Sequence, residues 1–201
     1  MKLFYVPGSP YARMVRVALL ETGLMARVTP VEVTLRDPAS ALLPFNPVGR
    51  VPSLELDDGT VLSESLLILP FLDRLHDGAR LIPADPARLA ALGTAIGFLD
   101  GIAVWNRALR IPVAEQHPAI LALEAKRANR VADRLEQAVA GGAYAGAFDA
   151  SLIALGCALG YCERRHTVWQ WRDGRPILSA WFDRVAARPS FQATIPPPSG
   201  I

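Results

Sequence analysis

Residues 1–16 read MKLFYVPGSPYARMVR and join an apolar strand to a helix through a short junction. Leu3 to Val6 is a strand candidate, Pro7-Gly8 interrupts it, and Ser9-Pro10 opens a helix. Ser9 is an N-cap residue type, and Pro10 suits the first helical position because the N–H it lacks would be unpaired there. Val15, Ala18, Leu19 and Thr22 then recur at helical spacing, with Arg13 and Arg16 between them. A strand running through a turn into a capped helix presents unbonded N–H groups and the positive end of a helix dipole. Such a junction is a place for an anion or a thiolate. A Ser-Pro pair is also an ordinary helix cap, so the functional reading depends on what the rest of the chain supplies.

The remaining composition narrows the choices. A chain of 201 residues holds one large domain or two small ones, and 51% hydrophobic content is enough for a core. The formal net charge is only +2, with no basic run and no interleaving of aromatic and basic residues, so nucleic acid is not an expected partner. Tyr5, Pro7 and Gly8 break the apolar run that a signal peptide needs. No uninterrupted apolar run approaches roughly 18 residues, so no membrane span is expected. Cys157 and Cys162 lie in one helical pattern, about 140° apart around its axis, which argues against a disulfide or a metal pair. His76, His117 and His166 are scattered, so no metal is expected, and the cysteine usage points to a cytoplasmic location.

In chain order, a strand at 2–6 precedes a helix at 10–23, and a second strand covers Arg27 to Leu35. Asp37-Pro38 repeats the cap-plus-proline pattern and predicts a short helix over 39–43. Asp57-Asp58-Gly59-Thr60 between two apolar pairs is a hairpin signal. Ser63, read as a cap, then opens an apolar helix through Leu75. The order β-α-β-α-β-β-α predicts an open α/β sheet whose last two strands pair antiparallel. The expected boundaries are a first domain at 1–77, a linker rich in Gly, Pro and Asp at 78–86, and an all-helical domain at 87–201. Within the second domain the helices fall near 87–109, 118–140, 150–161 and 177–187, and Asp149 caps the unusually apolar third one.

Two further stretches carry chemistry. In Asn46-Pro47-Val48-Gly49-Arg50-Val51-Pro52-Ser53 a proline stands just before a strand, where it forfeits a ladder hydrogen bond. A cis bond at Val51-Pro52 would leave the Val51 backbone facing outward to pair with a peptide. In Ser63-Glu64-Ser65 a carboxylate and a hydroxyl fall at a helix start beside free N–H groups, where they can clamp an amino acid's ammonium and carboxylate. An acidic first helical turn is the plain structural alternative.

Together these motifs resemble the glutathione transferase family over nearly the whole chain. Asn46 to Pro52 resembles that family's cis-proline loop, Glu64-Ser65 its γ-glutamyl-binding pair, and Phe148-Asp149 to Gly156 the start of its central helix. Gly8-Ser9-Pro10-Tyr11, with a helix ending Glu21-Thr22-Gly23-Leu24, is similar to bacterial members with serine at the active position. The resemblance implies a thioredoxin-like domain followed by a helical bundle, a homodimer, and glutathione as co-substrate. Ser9 would stabilise the glutathione thiolate, with Tyr5 as the alternative hydroxyl. Val51 and cis Pro52 would hold the cysteinyl part, Glu64 and Ser65 the γ-glutamyl end, and Arg50 the glycyl carboxylate. Pro10, Tyr11, Trp105 and Arg107 would line a pocket between the domains for a small, mostly apolar electrophile. Ser9 stands where glutaredoxin-like relatives carry a cysteine, so dithiol chemistry is not expected. Leu152 stands where the family's central helix has an acidic residue, so the reciprocal half of that helix cap is missing. A glutathione-dependent isomerase or dehalogenase, or a non-catalytic regulatory protein of the same fold, are the other readings.

Overall fold

The computed structural model describes residues 1–198. Four strands, β1 (Lys2–Tyr5), β2 (Thr29–Glu32), β3 (Ser53–Glu55) and β4 (Val61–Ser63), form one sheet in the order β2-β1-β3-β4. β1 pairs parallel with β2, so the chain between them must cross over, and α1 (Pro10–Glu21) is that crossover. β1 and β3 pair antiparallel with Phe4 opposite Ser53, and β3 and β4 close the hairpin around Gly59 at φ 85°. α2 (Ser65–Leu72) follows β4.

β1 is buried on both faces. Leu3 joins the main core with α1 and α2, while Phe4 packs with Ala12, Val33, Leu42 and Val51 in a smaller second core. The second core ties the first turn of α1 to the loop before β3. The short helix expected at 39–43 is instead a string of turns, with Leu43 N–H bonded to Ser40 C=O and Phe45 N–H to Leu42 C=O. Pro38, Pro44 and Pro47 bias the residues before them away from helical geometry, and burial of Leu42 against Phe4 fixes the turns. Ser63 does not cap α2: it belongs to β4, and Glu64 occupies the cap position.

The second half is helical throughout its described residues: α3 (Pro86–Leu109), α4 (Pro118–Ala140), α5 (Ala150–Arg165), α6 (Pro176–Ala186) and α7 (Pro189–Gln192). Every residue of α5 from Ala150 to Cys162 is buried, as its all-round apolar pattern predicts. α3 is 24 residues long and apolar enough, by length and composition alone, to cross a membrane. Arg88, Asp100 and Arg107 interrupt its sequence, so it holds no uninterrupted apolar run of about 18 residues. Its Leu92, Ala95, Phe98, Leu99 and Ile102 are packed in the protein core.

The cap of α5 has a partner that lies far away in the chain. Asp149 accepts from Ser151 N–H at 2.9 Å and from Arg88 Nε at 2.7 Å, and Arg88 also reaches the carbonyls of Ala145 (2.6 Å) and Ala147 (3.1 Å). Arg88 thus supplies the second half of a cap that Leu152, buried in the core, cannot. The two halves of the molecule are joined by Arg13 of α1. It is buried, donates to Thr194 Oγ1 and Phe191 C=O, and lies 4.8 Å from the Phe191 ring centre. Gly160 on α5 leaves room for its guanidinium.

Candidate functional site

The junction after β1 is built from its own backbone. Ser9 N–H closes the Pro7-Gly8 turn onto Val6 C=O at 2.9 Å. Ser9 is extended (φ −83°, ψ 118°), and its Oγ accepts Ala12 N–H at 3.2 Å. That bond uses a lone pair and holds the oxygen in place. It leaves the half-buried hydroxyl with its proton free to donate to a group at the start of α1.

The loop at 46–53 is held from inside. Buried Asn46 donates from Nδ2 to Arg50 C=O (3.2 Å) and Ser53 Oγ (2.9 Å), and its Oδ1 accepts Val48 N–H (3.0 Å). Ser53 in turn donates to Arg50 C=O at 3.0 Å. Val51-Pro52 is cis, as the proline before β3 predicts. Among the described residues nothing bonds to the Val51 backbone N–H or C=O. Arg50 is exposed at the same loop. Asn46 and Ser53, the two ends of the quoted loop, are its internal supports, and the Asn-Pro pair before the cis-proline is the sequence signal for them.

Glu64 has φ 67° and ψ 123°, a backbone conformation that L-residues adopt at a cost of order 1–3 kcal/mol. No side chain caps α2, Glu64 is exposed, and Ser65 is buried as the first helical residue. The strained residue therefore turns an acidic side chain outward beside an open helix N-terminus, a pairing suited to an ammonium and a carboxylate. These three stretches, at Ser9, Val51 and Glu64-Ser65, lie at the starts or ends of β1, β3, β4, α1 and α2.

Across from them the helical half contributes α3 and the end of α5. Tyr11 donates to Asp100 Oδ1 of α3 at 2.5 Å. Burial first, then this bond and the charge of Asp100, push the phenol above its ordinary range, while Arg107 opposes the shift. Tyr11 is therefore a neutral donor that links α1 to α3. Pro10 is buried at the first position of α1, and the exposed Arg107 stands near enough to the Tyr11 phenol to act on it. Trp105, two positions earlier, is turned into the helical core, 4.3 Å from the His166 ring and 5.7 Å from that of Trp169. Tyr5 ends β1 with the Arg16 guanidinium 4.5 Å from its ring centre, against the second core. Arg165, which the sequence did not single out, lies over Gly8: a Cβ there would be 3.0 Å from its Cζ.

No cluster of three His, Cys, Asp or Glu suited to a metal occurs among the described residues. Burial pushes the Cys157 thiol up to about 12 and the Cys162 thiol well above its usual range, so both are inert as nucleophiles. A groove of about 530 Å³ on the helical half, lined in part by Tyr144, Phe148, Trp181 and Arg188, includes none of Ser9, Tyr11, Val51, Glu64, Ser65 and Arg107.

Comparison with known proteins accounts for this arrangement. Residues 3–80 match the family model described as the glutathione S-transferase N-terminal domain. A glutathione transferase family member from Pseudomonas fluorescens Pf-5, solved with bound glutathione, is 37% identical, with 98% of each chain covered and a TM-score of 0.89. It has also been solved with bound S-(propanoic acid)-glutathione. A glutathione S-transferase from Methylobacillus flagellatus KT with glutathione bound is 32% identical over 97% of this chain and 98% of that one, at a TM-score of 0.88. An uncharacterized GST-like protein, YibF, of Escherichia coli strain K12 is 28% identical over 98% of this chain and 99% of its own. With a thioredoxin-like half and a helical half superposing on these structures along nearly their full length, the chain belongs to the glutathione transferase family.

Proposed function

We propose that this protein binds glutathione across the Ser9, Val51 and Glu64-Ser65 stretches, holds it as the thiolate, and transfers it to a small electrophile. The observation that carries the reading is the Ser9 hydroxyl, whose oxygen is pinned by Ala12 N–H while its proton stays available at the start of α1. A hydrogen bond and a helix N-terminus both favour a thiolate over a thiol. The cysteinyl backbone of glutathione would pair with Val51, and its γ-glutamyl ammonium and carboxylate would meet Glu64 and the open start of α2. Arg50 would serve the glycyl carboxylate. In the transfer, the thiol proton is released to solvent, sulfur forms a bond to the electrophilic carbon, and the leaving group departs with the bonding pair. Bound glutathione in the P. fluorescens and M. flagellatus structures supports the binding step.

A second reading, a glutathione-dependent isomerase, is favoured by one observation. A maleylacetoacetate isomerase of Pseudomonas aeruginosa is 36% identical over 45% of this chain and 44% of its own. Isomerase and transferase share the thiolate and differ in whether the C–S bond persists. A homodimer is part of the proposal, supported by exposed apolar side chains such as Leu67, Leu89 and Leu123, and sizing in solution checks it. The free thiols Cys157 and Cys162 support a cytoplasmic location, which cell fractionation checks. The test of function is calorimetric titration with glutathione. Saturable binding below millimolar concentration is expected, with ultraviolet absorbance of a bound thiolate at neutral pH. No binding at millimolar glutathione would leave a fold-sharing, non-catalytic protein.

A further inference from the structure

Three prolines in succession, Pro196-Pro197-Pro198, have no backbone N–H, so carbonyls are the only polar groups their backbone offers. The end of α5 meets them with donors. Arg164 Nε donates to Pro196 C=O at 2.5 Å, and Arg165 Nη1 donates to Pro197 C=O at 3.4 Å and Pro198 C=O at 3.2 Å. The stretch is anchored just upstream, where the buried Thr194 accepts from Arg13 of α1. The backbone of Arg165 is fixed as well. Its C=O accepts from Nδ2 of the buried Asn106 on α3, and Asn106 Oδ1 accepts from Tyr161 OH at 2.8 Å.

The same side chain reaches the first half of the molecule. A Cβ on Gly8 would lie 3.0 Å from Arg165 Cζ and Nη2 and 3.1 Å from its Nε. Three atoms of one plane at nearly one distance place Gly8 over the face of the guanidinium, while the Nη1 edge stays with the proline carbonyls. Gly8 does not have a positive φ, so its backbone conformation does not call for glycine; the close approach of Arg165 does. Gly8 also sits inside the turn that Ser9 N–H closes onto Val6 C=O at 2.9 Å, so a shift of Gly8 carries Ser9 with it. The helix dipole favours a cation at the end of α5, but it does not require that cation to lie on a turn of the other half.

We propose that Arg165 is a positioning residue for the thiolate site. Its guanidinium, held from behind by the proline stretch, is the surface against which the Gly8 turn sets the direction of the Ser9 hydroxyl. The inference rests on the glutathione reading and assigns no ligand to Arg165. Direction matters because a hydrogen bond weakens steeply as its angle closes. A turn free to shift would keep glutathione bound through Val51, Glu64 and Ser65 yet hold its thiolate less well.

Two substitutions break this contact from opposite sides. Arg165→Ala removes the guanidinium, and Gly8→Ala pushes it away with one methyl group. Thiolate absorbance against pH, with the intact protein saturated in glutathione, should show the bound thiol pKa raised by roughly 0.5–1 unit in each. Affinity for S-methylglutathione, which has no thiol to ionise, should stay within about twofold of the wild type by calorimetry. The double variant should rise no further, since the methyl at position 8 then has nothing to push. Gly156→Ala, which crowds α5 about two and a half turns earlier, controls for general loosening and should leave the thiol pKa in place. Gly8→Ala carries the test by itself if Arg165→Ala does not fold. An unchanged thiol pKa in the single variants overturns the proposal and leaves the glutathione reading standing. So does an equal rise in Gly156→Ala, an additive rise in the double variant, or a matching loss of S-methylglutathione affinity. A wild type that binds neither glutathione nor S-methylglutathione overturns both readings together.

Discussion

Ser9 performs two jobs that substitutions can separate. Its Oγ accepts Ala12 N–H at 3.2 Å, a cap whose loss to alanine costs about 1 kcal/mol. At roughly 2–4 °C per kcal/mol for a chain of this size, Ser9→Ala should melt about 2–4 °C lower. Its proton is assigned to the glutathione sulfur. A hydrogen bond to a charged group contributes about 1.5–3 kcal/mol net, and 1.36 kcal/mol is one pKa unit, so its loss should raise the bound thiol pKa by roughly 1–2 units. Ser9→Thr keeps the acceptor and the donor. Ser9→Asp keeps the acceptor but offers a negative charge in place of the donor. Melting temperature should therefore fall in the alanine variant alone. The bound thiol pKa, read by thiolate absorbance against pH with glutathione saturating, should rise in both Ala and Asp variants and stay low in Thr. An alanine variant that binds glutathione with an unchanged thiol pKa would refute the role of Ser9 and move attention to Tyr5.

The remaining predictions concern what keeps the site in place. His166 is fully buried beside Trp105, and burial pushes its imidazole down to about 4 against a small opposing contribution from its own backbone. The unfolded chain takes up this proton near pH 6.5 and the folded one only near 4, so its contribution is full above about 6.5 and is lost as the pH falls to about 4. The difference is roughly 3 kcal/mol, and His166→Phe should flatten the fall of melting temperature over that window; identical slopes would count against it. On α5, a Cβ at Gly156 would lie 2.7 Å from Phe191 Cζ and 2.8 Å from Val185 Cγ1. Gly156→Ala should lose about 1–2 kcal/mol net in chemical denaturation, overpacking outweighing helix propensity. Gly97→Ala on α3, with nothing within 4 Å, should gain up to about 1 kcal/mol. Arg88→Met strands the buried Asp149 carboxylate and should cost about 2–3 kcal/mol by the same assay, with unchanged stability as the refuting result.

What could be read in advance follows from how local its cause is. α1 and α3 announce themselves because Ser9-Pro10 and Asp85-Pro86 each put a cap before a first-turn proline, and the Ser9 and Asp85 side chains both accept the third N–H after them. Asp37-Pro38 carries the same local signal and makes only a turn, because Pro44 comes too soon and Leu42 is drawn under Phe4. The cis bond at Val51-Pro52 was legible from a proline ahead of a strand. The positive φ of Glu64 was not, since nothing in Ser63-Glu64-Ser65 distinguishes a strained residue from an ordinary cap. The partners Arg88 for Asp149, Asp100 for Tyr11 and Arg165 for Gly8 lie far away in the chain and were invisible for that reason.

That division has a functional meaning. The candidate glutathione side is made almost wholly of chain ends within the first 65 residues: a strand-to-helix junction, a cis-proline loop and a helix start. Such elements bind through backbone groups whose positions are set by a few neighbouring residues, so they can be read from short motifs. On the helical half, α3 meets α1 through the Tyr11–Asp100 bond and α5 packs against α1 around Arg13, Gly160 and Phe191. A substitution at the exposed Arg107 touches no backbone group of those motifs. Selection for a new acceptor can therefore act on the helical half while the thiolate site is kept.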